Sequence, residues 1–589
     1  MAGKPIEIAQ VLSPDQLAKE LYALYNKWYI QRSSAEAEWR ETRDYLFATD
    51  TTTTSNSSLP WKNKTTIPKL TQIRDNLHAN YLDALFPNDN WLRWDGASSD
   101  DVTTKKRTTI EQYIKNKCRE GGFQEEISKC VLDYIDYGNA FADVIWVKDT
   151  HKDPITEEDI VTYIGPKVVR ISPHDIIFNP VVNDFKKSPK FTRTLKPVGE
   201  LKQEALNRPD LEYNTAVIDK IDNIRTTLSS FKMEDINKSQ AYQVDGFGSL
   251  YEYLYSGYVE LIEFEGDIYD PETKEYKQNR LITIVDRTLI LRDIESKSWF
   301  GTDYKEHVSW RERPDNLYGM GPLANLVGLQ YRVDHLENLK ADAMDLAVQP
   351  PIKIVGDVDP FIWEPFAQIH VPEDGDVEPL FSNSNVMAVN NEIAYLLQLM
   401  EEMAGAPKEA MGVRSPGEKT AFEVQQLQNA AGRIFQHKVN RFEILFIQKL
   451  LNSMLELSKR NMDVKDVIRI MDDDLGVADF IEITKEDITA KGKLRPVGAS
   501  HFAMQSQLIQ NVNGIFNSQI GTIISPHISG KKLARLVEDI LGFEKYDFIQ
   551  DNVAIFESSE TQQLAQEAMK QGEVNQMTPV EQGIQGLPA

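Results

Sequence analysis

The chain lacks the features of a secreted, disulfide-stabilised or membrane-spanning protein. Its 589 residues include two cysteines, Cys118 and Cys130, which are too few for a disulfide scaffold and favour a reducing compartment. No apolar run of about 18 residues occurs, and the amino-terminal segment MAGKPIEIAQ has neither the basic nor the apolar region of a signal peptide. We therefore expect a soluble protein that is made inside the cell and has no membrane as a partner.

Positive charge is also in short supply. Lys and Arg number 65 against 90 Asp and Glu, which gives a formal net charge of −25. A surface this acidic cannot hold nucleic acid over its whole area, because non-specific binding depends on cations that neutralise phosphates. With 41 % apolar residues, the chain can bury a large core, and its length predicts about three to five domains.

Sequence signatures of catalysis are weak. The segment GVRSPGEKT, 412–420, spaces Gly412 and Gly417 as a phosphate-binding P-loop does, but Glu418 stands where the loop requires lysine. Residues 472–474 are all aspartate and could hold a divalent cation, although neighbouring side chains on a strand point to opposite faces. We predict no catalytic residues, no metal and no cofactor, and hence no enzyme; a nucleotide-binding enzyme that uses 412–420 is a less favoured alternative.

The spacing of apolar and turn residues predicts an α+β fold that is predominantly helical. Helices are expected at about 14–47, 69–86, 105–137 with a bend at the glycine pair, 322–348, 392–404 and 420–460. Strands are expected at 141–147, 161–171, 258–264, 281–285, 307–310, 467–471 and 480–484. The helix 420–460 would be roughly 60 Å long, so it needs a large assembly to pack on.

The stretch 354–407 has ten acidic residues and no Lys or Arg. The acids are Asp357, Asp359, Glu364, Glu373, Asp374, Asp376, Glu378, Glu392, Glu401 and Glu402. Such a run is commonly a solvated face, but it could also repel DNA that passes over it or meet a basic partner. Three cations follow at once, Lys408, Arg414 and Lys419, and could touch phosphates weakly without trapping them.

The order of these elements resembles the portal, or head-to-tail connector, proteins of tailed bacteriophages, and looks closest to those of short-tailed phages. Four segments carry the resemblance: Tyr318-Gly-Met-Gly-Pro322 before a long helix, Pro350-Pro351 after it, Glu418-Lys-Thr-Ala-Phe-Glu423 at the start of the longest helix, and the strand-loop segment from Ser172-Pro173-His174-Asp175 to Asn179-Pro180. The similarity in element order covers about 10–557, and the similarity in motifs covers about 310–460.

The resemblance implies a ring, typically of about twelve subunits, at one capsid vertex. The parts would be an N-terminal helical arm (1–60), a wing (61–320), a first stem helix (321–348), a clip (349–389), a second stem helix (390–404), a tunnel loop (405–419), a long wing helix with return strands (420–498), a helical crown (499–557) and a disordered tail (558–589). Phe361, Trp363 and Phe366 would lie in the clip, either as anchors for partners or as its own small core. Lys408, Arg414 and Lys419 would lie in the tunnel loop, where they could contact DNA.

The function that the resemblance implies is mechanical. The ring would be a conduit for double-stranded DNA, without sequence specificity, during genome packaging and ejection. Its partners would be the major capsid and scaffolding proteins, the terminase and tail adaptor proteins, and its location the virion after assembly in the bacterial cytoplasm. The alternative is an acidic helical adaptor or scaffold protein without a DNA channel, which would use the apolar stripe of 420–460 as its partner surface.

Overall fold

The computed structural model describes residues 6–7, 14–87, 91–96, 104–152, 159–181, 184–207, 211–226, 257–269, 274–296, 298, 303–356, 371, 375–380, 386–404, 434–462, 465–472, 477–484, 488 and 492–496. The chain separates into two compact units, one of residues 1–87 and 91–496 and one of residues 88–90 and 497–589. Every described residue belongs to the first unit. The predicted crown and tail therefore lie outside the described residues.

The first unit combines helices and strands, which confirms the α+β class. The helices are α1 (Pro14–Gln31), α2 (Ser33–Leu46), α3 (Lys69–Leu85), α4 (Thr104–Glu120), α5 (Phe123–Asp136), α6 (Val198–Asn207), α7 (Thr215–Thr226), α8 (Val327–Val348), α9 (Val386–Met403) and α10 (Gln448–Asn461). Helical residues 434–442 lead into α10 through a π-helical turn, Glu443–Ile447. Of the predicted helix 420–460, residues 420–433 lie outside the described part.

Seventeen strands are described. They are β1 (Ile6–Glu7), β2 (Leu92–Gly96), β3 (Asn139–Lys152), β4 (Asp159–Ile171), β5 (Ile176–Phe178), β6 (Lys190–Pro197), β7 (Tyr258–Tyr269), β8 (Tyr276–Val285), β9 (Leu289–Glu295), β10 (Glu306–Ser309), β11 (Arg311–Arg313), β12 (Asn316–Met320), β13 (Ile352–Val355), β14 (Asp376–Pro379), β15 (Lys465–Asp472), β16 (Val477–Thr484) and β17 (Gly492–Pro496). Each of the seven predicted strands overlaps one of these, so their positions are confirmed.

The predicted single helix over 14–47 is wrong in one respect, because it is divided at Arg32. The Arg32 guanidinium is buried and donates hydrogen bonds to three backbone carbonyls, those of Pro173 (2.9 Å), His174 (2.9 Å) and Ile176 (2.7 Å). It also pairs with Glu36 at 2.5 Å. The division between α1 and α2 therefore falls where a buried cation ties the helices to the loop before β5.

The largest sheet has the antiparallel strand order β5-β6-β7-β8-β9, and the short β1 pairs parallel with β7. One face of this sheet is covered by the apolar stripe of α1. Tyr25 and Trp28 of that stripe contact the ring of Phe191 edge-on, with ring centroids 5.7 and 5.5 Å apart. The periodic apolar residues of α1 are thus explained by packing on a sheet.

The main core lies between helices α3, α4, α5 and α10 and the three-stranded sheet β10-β3-β4. The Tyr134 ring contacts Tyr81 at 5.9 Å and Phe442 at 5.0 Å, so three distant segments meet at one aromatic cluster. Strand β17 pairs antiparallel with β2, which brings the end of the first unit back beside the segment between α3 and α4. Cys118 and Cys130 are both buried here as free thiols.

The glycines of the Tyr318–Pro322 motif allow the backbone to pack closely. A Cβ on Gly319 would lie 2.5 Å from the Ser309 Cβ and 2.9 Å from the Gly138 carbonyl oxygen. A Cβ on Gly321 would lie 2.8 Å from the Ile135 carbonyl oxygen. The motif therefore fits β12 tightly against the turn between α5 and β3, directly before α8.

Candidate functional site: a two-helix stalk

Four elements after the Tyr318–Pro322 motif form a structure that we call the stalk: α8, β13, β14 and α9. Strands β13 and β14 pair antiparallel, and the two helices pack against each other. Leu336 of α8 and Met400 of α9 both belong to the main core. The stalk therefore leaves the core along α8, turns at the β13–β14 pair and returns along α9.

Helix α8 ends before Pro350, as predicted, but begins at Val327 after a 3₁₀ turn instead of at Pro322.

A segment without regular secondary structure, residues 62–67, is hydrogen-bonded along α8. The side chains that hold it are Gln330, Asp334, Asn338 and Asp342, which recur every four residues and so share one face of the helix. The Gln330 amide donates to the Ile67 carbonyl at 2.6 Å, and the Asp334 carboxylate accepts from the Ile67 N–H at 3.1 Å and the Thr66 hydroxyl at 3.0 Å. Asp342 accepts from the backbone N–H groups of Lys62 and Asn63 at 3.1 and 3.0 Å.

The two aspartates of this face have opposite electrostatic environments. Burial raises the pKa of Asp334 to about 6, even though three donors point at its carboxylate. For Asp342, the backbone N–H groups of Asn63 and Lys62 outweigh the effect of desolvation and lower the pKa. Both groups act here as hydrogen-bond acceptors that hold the stalk to the body.

Helix α9 divides its acidic residues between two environments. Glu392 and Glu402 are exposed. Glu401 is buried, and its carboxylate lies 2.5 Å from the Lys69 ammonium group, which also donates to Gln72. Glu401, which the sequence analysis placed on an acidic surface, is therefore part of the packed end of the helix, because its charge is needed beside a buried lysine.

The stalk carries many large apolar side chains that no described neighbour covers. This stalk apolar surface consists of Leu339, Met344, Leu346 and Val348 on α8, Ile354 and Val355 on β13, Leu380 after β14, and Tyr395 and Met403 on α9. Val348 is 79 % exposed and Tyr395 is 61 % exposed. Apolar surface of this extent is expensive to leave in water and typically marks an interface with another macromolecule.

The β13–β14 pair carries two of the predicted acids. Asp376 and Glu378 are both exposed, and Lys353 on the neighbouring strand lies 3.9 Å from each carboxylate. Because all three groups are about half exposed or more, water screens these pairs and they add little stability. The acidic character of this end of the stalk is thus partly offset by one lysine that precedes the cation-free stretch.

Several predicted site residues lie outside the described part of the chain. They are the acids Asp357, Asp359, Glu364, Glu373 and Asp374, the clip aromatics Phe361, Trp363 and Phe366, and the tunnel-loop cations Lys408, Arg414 and Lys419. The glycine-rich segment 412–420 also lies outside it. Their proposed roles stay predictions.

Within the described ranges, no group of three or more His, Cys, Asp or Glu side chains is arranged to hold a metal ion. None of the helices described is both long and apolar enough to span a bilayer. Asp472 ends β15 opposite Val477, while 473–474 are not described.

The polar face of α8 was missed by the sequence analysis. Its signal is present, because Gln330, Asp334, Asn338 and Asp342 repeat at the helical spacing within a segment that also has an apolar stripe. The spacing does not identify the partner of this face, which is a stretch of backbone about 270 residues earlier in the chain.

No protein-family model matches the chain, and no curated protein matches it.

Proposed function

We propose that this chain is the portal protein of a tailed bacteriophage, a ring subunit at one capsid vertex through which double-stranded DNA passes. The observation that carries the proposal is the stalk: two antiparallel helices that leave a mixed α+β body, bear exposed apolar side chains and meet at a small strand pair. The sequence resemblance supplies the family, and the stalk supplies a physical reason for assembly.

The stalk apolar surface favours a second copy of the chain as its partner. A closed ring needs two different, complementary surfaces on each subunit, because neighbours meet head to tail. The stalk offers one on each helix: Met344, Leu346 and Val348 are exposed on α8, and Tyr395 and Met403 are exposed on α9. Met344 and Val348 are four residues apart and share one face of α8, so contact of that face with the α9 of a neighbour would bury them together with Tyr395 and Met403.

The charge of the stalk fits a channel that DNA passes without binding. Asp376, Glu378, Glu392 and Glu402 are exposed acids, and α9 has no Lys or Arg. A ring of twelve such chains would carry a formal charge of roughly −300, from twelve times −25. Repulsion from walls of this sign would keep the phosphate backbone from adhering while it moves.

The remaining assignments follow from the same proposal. Residues 61–320 with 420–498 would be the wing. The stem helices, 321–348 and 390–404, would correspond to α8 and α9, and the clip, 349–389, would include the β13–β14 pair. Terminase and later the tail adaptors would dock at the clip, and capsid and scaffolding proteins would surround the wing. The chain would have no reaction of its own, and its place would be the virion.

The proposal is tested by the state of the purified chain, with subunits counted by native mass spectrometry and particles imaged by negative-stain electron microscopy. Rings of about twelve subunits with a central hole are expected. Met344→Glu/Val348→Glu should prevent ring formation because it places charge in the interface, and Leu206→Glu, which changes an exposed leucine of α6 outside the stalk, should not.

Two results would overturn the proposal. One is a chain that stays monomeric or dimeric even at high concentration, which would favour the acidic adaptor. The other is a ring that forms equally well with and without the two stalk substitutions. Circular dichroism of each variant separates loss of assembly from loss of folding.

A further inference from the structure

A cavity lies away from the stalk, between the helix that contains Ile444–Lys459 and the segments around Lys186, Glu306 and Lys493. Its volume is about 570 Å³, which is within the range of about 300–1,000 Å³ that small-molecule sites typically have. Apolar atoms form most of its wall. The mechanical function proposed above makes no use of this space.

The charge of the cavity is opposite to that of the chain as a whole. Four lysines line it, Lys186, Lys449, Lys459 and Lys493, against two glutamates, Glu306 and Glu456. In a protein with a formal charge of −25, this is a local excess of positive charge.

The two glutamates already have cationic partners. The Glu306 carboxylate pairs with the Lys186 ammonium group and lies 3.8 Å from that of Lys449. Glu456 lies 3.9 Å from the Arg460 guanidinium. An anion that enters the cavity would therefore meet more positive than negative charge.

The exposure of the lining residues shows which part of the cavity is buried and which part opens to solvent. Leu455 is buried and lies at its floor, whereas Ile444, which is 57 % exposed, and Lys449, whose side chain is 48 % exposed, reach solvent at its mouth. Lys493 is exposed as well. Cations at the mouth, beside an apolar wall that includes Ile444 at the mouth and Leu455 at the floor, match a molecule with a charged head and an apolar body.

We propose that this cavity binds an amphipathic organic anion, with its anionic head between Lys449 and Lys493 and its apolar body against Ile444 and Leu455. The proposal is independent of the proposed function, because these residues belong to the body of the fold and not to the stalk.

The test is isothermal titration of the full chain with sodium decanoate. Wild-type protein should bind it. Acetate, which has the carboxylate but no long apolar chain, and decan-1-ol, which has the chain but no charge, should both bind much more weakly. Lys449→Met/Lys493→Met should weaken binding at least about tenfold by removing the charge at the mouth, and Ile444→Gln should weaken it by removing apolar contact.

Matched controls separate the site from general effects of charge. Lys277→Met should leave the affinity for decanoate unchanged. The Lys277 side chain has the same 48 % exposure as Lys449 and likewise lies near one glutamate, 3.4 Å away, but it does not line the cavity. Lys449→Arg should retain binding. The proposal is overturned if wild-type protein does not bind decanoate, if decan-1-ol binds equally well, or if Lys449→Met/Lys493→Met and Lys277→Met bind with the same affinity.

Discussion

The Asn338 side chain pairs with the backbone of Thr65 as a neighbouring strand would. The Thr65 N–H donates to Asn338 Oδ1 at 2.8 Å, and Asn338 Nδ2 donates to the Thr65 carbonyl at 2.7 Å. Asn338 is fully buried, and the same amide also donates to the backbone carbonyl of Asp334. One buried side chain of α8 thus satisfies both backbone polar groups of Thr65, a residue that has no strand partner.

Asn338→Asp should destabilise the chain, because a carboxylate of nearly the same shape cannot donate to the Thr65 and Asp334 carbonyls. Leaving these groups unpaired should lower the free energy of unfolding by roughly 2–3 kcal/mol, measured by urea denaturation near neutral pH. Asn391→Asp, the same change at an exposed position of α9, should stay within about 0.5 kcal/mol of wild type. Equal effects of the two substitutions would contradict this account of the pairing.

The local elements of the body could be predicted from the sequence because they follow local rules. Helix α3 begins after Pro68 and ends before Pro87, and the bend between α4 and α5 falls at Gly121–Gly122, where Gly122 has a φ of 68°. The strands were found from their β-branched and aromatic composition. These signals depend on residues within a few positions of one another.

The long-range features could not be predicted, because their partners are distant in sequence. Arg32 ends α1 by binding carbonyls about 140 residues away, and β17 pairs with β2 across about 400 residues. The stalk was partly foreseen as a pair of helices around a Pro-rich block, but the burial of Glu401 was not. The sequence of an acidic run does not reveal whether a given carboxylate faces water or a buried lysine.

Gly319→Ala should destabilise the fold through backbone crowding. The added Cβ would meet the Ser309 Cβ at 2.5 Å and the Gly138 carbonyl oxygen at 2.9 Å, contacts that only backbone movement can relieve. We expect a loss of about 1–3 kcal/mol in the free energy of unfolding. Gly328→Ala in α8 is the matched control, and its effect should be the opposite. The added Cβ meets nothing within 4 Å, so the substitution should raise the free energy of unfolding by about 0.5–1 kcal/mol. A stabilising Gly319→Ala would refute the close packing of the motif.

Adjacent glutamates on α9 should respond differently to the same substitution. Glu401→Gln removes the charge that faces the buried Lys69 ammonium group, and should cost about 1–3 kcal/mol. Glu402→Gln changes an exposed carboxylate and should cost less than about 0.5 kcal/mol. Thermal and urea unfolding of both variants tests the assignment. If Glu402→Gln were the more damaging, the placement of the two side chains would be wrong.

The buried carboxylate of Glu443 should make stability depend on pH. Burial raises its pKa to about 7, and its Oε1 has no hydrogen-bond partner among the described residues. The folded chain therefore holds a proton that the unfolded chain loses above its ordinary pKa of 4.5, so this group's contribution to stability falls as pH rises from about 4.5 to 7. Glu443→Gln should be more stable than wild type by on the order of 2 kcal/mol at about pH 8, and this gain should vanish by about pH 4.5. A gain that does not change with pH would exclude titration of Glu443 as its cause.

If the stalk lines a DNA channel, reversing its exposed charges should convert repulsion into retention. Glu392→Lys/Glu402→Lys adds four positive charge units to each subunit, and every change is repeated around the assembled ring. Wild-type rings should not retain a labelled duplex at low salt, whereas the variant rings should bind it and release it as salt is raised.

The control is Glu125→Lys/Glu275→Lys, which makes the same charge change at exposed positions outside the stalk and should retain far less DNA. Fluorescence anisotropy measures the retention, and native mass spectrometry confirms that each variant still forms rings. Equal retention by the two double variants would show that the stalk does not face the DNA, because net charge alone would then explain the binding.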